Sequence, residues 1–418
     1  MDPFASALDQ AASLRRREVG PGELLDMYLA RIERLNPALN AFVLTTEDLA
    51  RQEAAAAERT LAEGRGGPLT GVPVSIKELS FLAGHRSTGG SRAFAGLIAP
   101  WDDYAIGRWK EEGCLILGKT NAPEFGTRPL TEWGLFGPAR NPWDLERNTG
   151  GSSGGAASAL AAGLCALSQG SDGGGSCRIP ASCCGVVGLK PSRGRVSPGP
   201  VFGEGWAGLS TNGPLARTVA DAAAGLDAMA GHLPGDPYWA PAAGSFLAAA
   251  RPRDRNLRVA VTTAAVAAVD PEVASCVEAV AGLLQEFGHR VEEAAPPDTE
   301  ALREHTTLVA IAGVASLPVE DPSLLEPLNA AAVELARDIT AADYVRAVGQ
   351  IRAISRRVVA FWDGRDVLVT PTCTQPAPPL ETMGRDVATA HHEFLDWLSF
   401  TFPYNCTGQP AISLPLGM

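Results

Sequence analysis

The chain has 418 residues, 47 of them acidic and 35 basic, for a net charge of −12; 45% are hydrophobic and 20% charged. This composition can bury a core and excludes a disordered chain, while the acidic balance disfavours nucleic-acid and anionic-membrane partners. No apolar run approaches the ~18 residues of a membrane span.

Met1-Asp2-Pro3 begins no basic-then-apolar leader, so no signal peptide is expected. The eight cysteines include no Cys-x-x-Cys pair. They read as reduced thiols of a cytoplasmic protein, with no zinc site.

In chain order, the first predicted element is a helix. Leu24, Leu25, Tyr28, Ile32 and Leu35 recur at helical spacing, with Pro21 at the entry and Asn36-Pro37 at the exit. Val72 to Ile76 and Cys114 to Leu117 are short β-like runs. Ala156 to Leu167 is small and apolar with good helix formers, which predicts a closely packed, buried helix. Residues 231–256, rich in Pro, Gly and Ala, read as a surface connection.

Leu257 to Val261 predicts a strand. Asp270 then caps a helix with Pro271 in its first turn, an apolar face of Val273, Val277, Val280, Leu284 and Phe287, and Gly288 as terminator. Val367-Leu368-Val369 predicts a further buried strand. Short apolar strands alternating with helices indicate an α/β fold whose sheet is covered by helices on both faces.

Three motifs look like chemistry and are better read otherwise. Gly113-Cys-Leu-Ile-Leu-Gly118-Lys119-Thr120 has the letters of a phosphate loop, but Cys, Leu, Ile and Leu suit a buried strand and Asn121-Ala122-Pro123 interrupts the helix that should follow. Gly203-Glu-Gly205-Trp-Ala-Gly208 spells a dinucleotide fingerprint, yet Pro198, Gly199 and Pro200 stand where a strand is required. Gly151-Ser152-Ser153-Gly154-Gly155 satisfies the nucleophile-elbow pattern, but Asp144 to Thr149 is no apolar strand. Of the downstream histidines, His232, His289, His305, His391 and His392, none has a special context. A Ser-His-Asp triad is therefore the second choice.

Glycine is in excess, 45 residues in 418, and nine of the 29 residues from Asn148 to Ser176 are glycine. Serine clusters at Gly150 to Gly155 and Gly170 to Arg178 bracket the Ala-rich stretch, which a flexible linker would not enclose. Consecutive glycines at 173, 174 and 175 allow successive N–H groups to converge on one point, an anion nest with Ser176 at its edge. A serine near pH 7 needs a base. With no suitable histidine, Lys77 at the end of the Val72 to Ile76 strand is the best candidate. It could act only when neutral, which requires burial or cationic neighbours to bring its pKa from ~10.4 to ~7–8.

At this point the residues resemble the amidase signature family. The match includes Glu23-Leu-Leu…Tyr28-Leu-Ala-Arg-Ile-Glu-Arg-Leu-Asn36, Gly71-Val-Pro-Val-Ser-Ile-Lys77-Glu78, Gly118-Lys-Thr-Asn-Ala-Pro-Glu-Phe125 and Gly150 to Gly155. It continues through Asp172 to Pro180, Cys184-Gly-Val-Val-Gly-Leu-Lys-Pro191 and Gln409-Pro-Ala-Ile-Ser-Leu-Pro415. The resemblance implies one large mixed β-sheet in a single amidase domain over residues 1–418. N-terminal helices would occupy residues 1–60, a catalytic core 61–230 and a substrate-pocket region 231–418.

By motif position the resemblance places the nucleophile on Ser176, the cis-serine on Ser152 and the base on Lys77. It implies a cis peptide bond before Ser152 and an oxyanion hole across Gly173, Gly174, Gly175 and Ser176. Asp172 and Arg178 would pair beneath the loop, and Ser153 would join the network. It implies no metal and no cofactor. The expected partner is a small-molecule amide substrate, with a homodimer as the expected assembly if the chain self-associates.

Gly173 departs from the Thr, Ile or Val that the family commonly carries there. Together with Arg178-Ile-Pro180 and Lys190-Pro-Ser-Arg-Gly-Arg195, it makes the chain look closest to the 6-aminohexanoate-cyclic-dimer hydrolase branch. The A subunits of tRNA amidotransferases usually have Gln where Ile179 stands. A further strand segment and terminal helix would follow Gly417-Met418 in the family, so its C-terminal segment is expected to be missing and stability to suffer.

The expected function is serine-dependent hydrolysis of carboxylic amides through an acyl-enzyme, with esters and carbamates or urethanes open to the same chemistry. The alternative is a glutaminase subunit of the amidotransferase A type, acting within a complex. A catalytically dead scaffold would not need Lys77, Ser152 and Ser176 together. Trp133, Phe202 and Trp206 are the candidate pocket residues, followed by Trp239 and Leu308, Ile311, Leu317, Leu324 and Leu325.

Overall fold

The computed structural model describes residues 1–252 and 255–417. Among the described residues twelve strands occur in chain order: β1 (Phe42–Thr45), β2 (Pro73–Lys77), β3 (Leu115–Thr120), β4 (Arg140–Asn141), β5 (Asp144–Asn148), β6 (Leu167–Asp172), β7 (Val187–Lys190), β8 (Thr211–Ala216), β9 (Arg258–Val261), β10 (Arg290–Glu293), β11 (Val367–Val369) and β12 (Ala411–Ser413). Seven form a mixed sheet in the order β1-β3-β2-β6-β8-β7-β12. Its β3-β2-β6 centre is parallel, and the remaining pairings are antiparallel.

The helix Gly154–Ala161 packs on β1, β2, β3, β6 and β8, and Val219–Met229 packs on β6, β7 and β8. Such a sheet flanked by helices is the expected α/β class. The units predicted at 257–261 and 367–369 do not join it. With β10 they form a separate three-stranded parallel sheet, ordered β10-β9-β11.

β2 and β3 are buried at every position. Leu115 to Thr120 of the Gly113–Thr120 motif is thus strand rather than phosphate loop, and the motif's second glycine has a structural purpose. Val74 lies opposite Ile116 and Ile76 opposite Lys119, so β3 carries one extra residue here. Gly118 absorbs that bulge at φ +150°, and a Cβ on it would stand 2.0 Å from Leu44 O. Gly118→Ala should therefore destabilise the protein by roughly 2–3 kcal/mol, read as a lower urea midpoint. A wild-type midpoint in that variant would contradict this account of the bulge.

Two elements differ from expectation. The first long helix runs Pro21–Leu39, past Pro37. Proline ends no helix when it falls in the last turn, and here Asn40 closes it, left-handed at φ 49°, with its N–H on Asn36 O at 2.7 Å. The predicted helix Ala156 to Leu167 is half helix, ending at Ala161; Gly163 turns left-handed and Leu167 already belongs to β6. A small apolar run suits either a buried helix or a central strand, and the turn at Gly163 divides it between them.

The predicted helix after Asp270 runs Pro271–Glu286, capped by the Asp270 carboxylate on Glu272 N at 2.8 Å. Of its apolar face only Val277 is fully buried, and Phe287 is exposed. β5 is a polar, mostly exposed hairpin strand, in keeping with its rejection as a nucleophile elbow. All eight cysteines are free thiols.

The apolar interior falls into two clusters. One lies around the seven-stranded sheet and includes Cys177; the other lies among helices 302–315, 341–360 and 390–397 and includes Ile179. The segment 172–179 runs along their seam.

Candidate active site

Lys77 is the last residue of β2, held by its backbone N–H on Gln169 Oε1 at 3.0 Å. Its side chain is wholly buried. Nζ lies 2.7 Å from Ser152 Oγ, 3.1 Å from Ser171 Oγ and 3.4 Å from Ser171 O. Burial pushes its pKa down from 10.5 to about 8, against the opposing influence of Cys177 and Asp172.

The Gly151–Ser152 peptide is cis, as the resemblance implied. Gly126 backs the Ser152 hydroxyl, since a Cβ there would lie 3.0 Å from Oγ. Ser153 joins the cluster through its N–H on Ser176 O at 3.2 Å and its hydroxyl on Ser171 O at 3.3 Å.

β6 delivers Asp172, after which the chain turns through Gly173 to Ser176 into the short helix Arg178–Cys184. Asp172 is fully buried and paired with Arg178, Nε to Oδ2 at 3.0 Å and a terminal guanidinium nitrogen to Oδ1 at 2.9 Å. Burial alone would raise the Asp172 pKa, but the charge and hydrogen bonds of Arg178, with Lys190 and Asn405, hold it well below the usual carboxylate range.

The same carboxylate accepts the N–H groups of Gly175 at 2.8 Å and Cys177 at 3.1 Å. This corrects one oxyanion assignment: the Gly175 N–H points inward to Asp172, turned there by a φ of +139°. Among the described residues, the N–H groups of Gly173, Gly174 and Ser176 have no protein acceptor. Ser176 is half-buried, and its hydroxyl makes no hydrogen bond among the described residues. The two serine hydroxyls are therefore not hydrogen-bonded to each other in this structure.

Sequence reasoning missed three groups. Ser171 supplies two of the three Lys77 contacts. Thr401 Oγ1 donates to Gly174 O at 2.7 Å, and its carbonyl accepts from Arg178 at 2.8 Å. Asn405 donates to Asp172 O and Oδ1, each at 2.9 Å, and accepts from Arg178 at 2.7 Å. Ser171 was discoverable, because it neighbours Asp172 on the strand that leads to the nest. Thr401 and Asn405 carry no local signal.

The pocket candidates divide. Trp206 lies against Gly173. Trp133 stacks under the Arg128 guanidinium at 4.2 Å, and Arg128 pairs with the buried Glu326 at 3.3 Å. Phe202 and Trp239 are 55% and 63% exposed on the surface. Leu308 packs on the second cluster and Leu325 is buried. No histidine among the described residues bonds to Ser152 or Ser176; His391 pairs instead with Thr307 Oγ1 at 2.5 Å, and burial lowers its pKa to about 4.

Comparison with known proteins agrees with this geometry. The sequence profile of the family Amidase matches residues 23–418. The chain is 36% identical to the 6-aminohexanoate-cyclic-dimer hydrolase of Paenarthrobacter ureafaciens, over 100% of this chain and 89% of that protein. It is 37% identical to an acylamidase of Rhodococcus erythropolis, over 99% of this chain and 89% of the other. The solved structure of a 6-aminohexanoate cyclic dimer hydrolase complexed with substrate superposes with a TM-score of 0.93 at 34% identity, covering 100% of this chain and 91% of that one. The chain therefore belongs to the amidase, or amidase signature, family of hydrolases acting on carboxylic amide bonds.

Proposed function

We propose that this amidase works by a Ser176, Ser152 and Lys77 triad through an acyl-enzyme. The observation that carries the reading is the 2.7 Å contact between the wholly buried Lys77 amine and Ser152 Oγ. A neutral amine has two N–H groups and one lone pair. With the N–H groups on Ser171 O and Oγ, the lone pair is left for the Ser152 proton. Ser152 in turn takes the proton of Ser176, whose oxygen attacks the amide carbonyl. The N–H groups of Gly173, Gly174 and Ser176 stabilise the oxyanion. As the C–N bond breaks, Ser152 returns a proton to the nitrogen, which would otherwise leave as a very poor amide anion. Water then attacks the acyl-enzyme by the same relay and frees the acid and Ser176.

The pH dependence follows from Lys77. The protonated amine cannot accept a proton, so kcat/KM should rise with pH, with a midpoint near about 8, and level off above it. A midpoint at ~6.5, where an ordinary histidine titrates, would contradict the lysine base.

Similarity to a cyclic-dimer hydrolase and an acylamidase supports secondary amides, linear or cyclic, as substrates, with esters and aryl carbamates reached by the same acyl transfer. The test is turnover of anilides, primary amides, cyclic amides and aryl carbamates, combined with labelling by a fluorophosphonate probe. Wild type should label at Ser176 and Ser176→Ala should not. Equal labelling of both would overturn the assignment.

A further inference from the structure

Trp206, Ala207 and Gly208 are three consecutive left-handed residues, at φ 51°, 53° and 81°. That backbone is disfavoured for tryptophan and alanine, so the surroundings must hold it. Arg193 Nε donates to Gly208 O at 2.6 Å, and Asn405 Nδ2 to Leu209 O at 3.1 Å. Because Asn405 also holds Asp172, the turn is fastened to the base of the nucleophile loop.

The indole is then clamped by two glycines. A Cβ at Gly173 would lie 3.0 and 3.1 Å from ring carbons Cε3 and Cζ3, and one at Gly313 would lie 3.0 Å from Cδ1 and 3.2 Å from Nε1. Neither glycine has positive φ, and Gly313 sits inside the helix Leu302–Ala315, where alanine would be favoured. What both positions require is space for the ring.

We propose that Trp206, seated by Gly173 and Gly313, is a specificity-determining wall of the acyl site that admits unbranched acyl groups and rejects those branched beside the carbonyl. The side of the site follows from the proton relay. Ser152 must face the departing nitrogen, and Ser152 lies against Gly126, whereas Trp206 lies against Gly173. The half-buried ring lies against Gly173, three residues before Ser176, and we place it beside the acyl group on the other side of the carbonyl.

This inference rests on Ser176 as nucleophile, and the experiment separates the two. Butyryl and pivaloyl p-nitroanilides are compared in wild type, Trp206→Ala, Gly173→Ala and the double variant. Trp206→Ala should raise the pivaloyl-to-butyryl ratio of kcat/KM by about tenfold. Gly173→Ala should lower butyryl turnover, and adding Trp206→Ala should restore it to the level of Trp206→Ala alone, because the clash needs both side chains. Trp206→Leu reads the same ratio if the alanine variant does not fold. A ratio unchanged in the folded variant, or losses that simply multiply in the double variant, would overturn the wall while fluorophosphonate still labels Ser176. Failure of wild type to label at Ser176 would overturn the nucleophile instead.

Discussion

Lys77→Ala is expected to lower kcat by about 10⁴-fold or more, with Ser152→Ala and Ser176→Ala comparably inactive and the triple variant little worse than any single one. In the proposed mechanism the three groups pass one proton, so breaking any link would break the relay, and the losses should not add. His391→Ala and His392→Ala should keep wild-type activity. The reverse pattern, active Lys77→Ala with inactive histidine variants, would restore the Ser-His-Asp reading.

The same lysine should oppose stability. A pKa lowered from 10.5 to about 8 corresponds to about 3 kcal/mol against the charged form in the native state. The unfolded chain holds that proton more tightly, so this penalty is complete below about 8 and is relieved as pH rises to 10.5. Lys77→Met should remove that dependence, and at pH 7 it should be at least as stable as wild type in urea despite being inactive. A strongly destabilised methionine variant would show instead that the amine's three hydrogen bonds outweigh its desolvation.

Arg178→Met should cost about 3–5 kcal/mol, the largest loss of stability expected from a single change. Asp172 would remain buried without its counter-charge, and Asn405 Oδ1 and Thr401 O would each lose a donor. The Asp172 carboxylate would then favour its proton, weakening its hold on the Gly175 and Cys177 N–H groups and thus the form of the nucleophile loop. Asp172→Asn should be milder, because the amide oxygen can still accept. Combined with Arg178→Met it should recover part of the loss, which urea melts of the single and double variants would measure. Single variants within 1 kcal/mol of wild type would refute this role for the pair.

What the sequence revealed was local. Lys77 was singled out because a predicted buried strand ends in a lysine, and Ser176 because it edges a run of glycines, whereas Ser152 was placed only by the family resemblance. The phosphate-loop reading of 113–120 was rejected on its apolar residues, and β3 is buried throughout. Ambiguity arose where composition suits two states: Ala156 to Leu167 is divided between helix and strand by a turn at Gly163. The inward turn of the Gly175 N–H depends on the Asp172 carboxylate, a geometric detail that glycine spacing does not encode. Thr401 and Asn405 were invisible because their partners lie 223 to 233 residues away.

That separation bears on biogenesis. The ribosome completes the segment carrying the proposed nucleophile long before it makes the threonine and asparagine that hold it. Loop closure over such a span is slow to reward the chain, and domains made progressively during translation can form only contacts whose two ends already exist. A nascent chain released before residue 405 should therefore carry all three triad side chains and still be inactive. Activity should then appear only late in synthesis, after most of the sheet has had time to assemble.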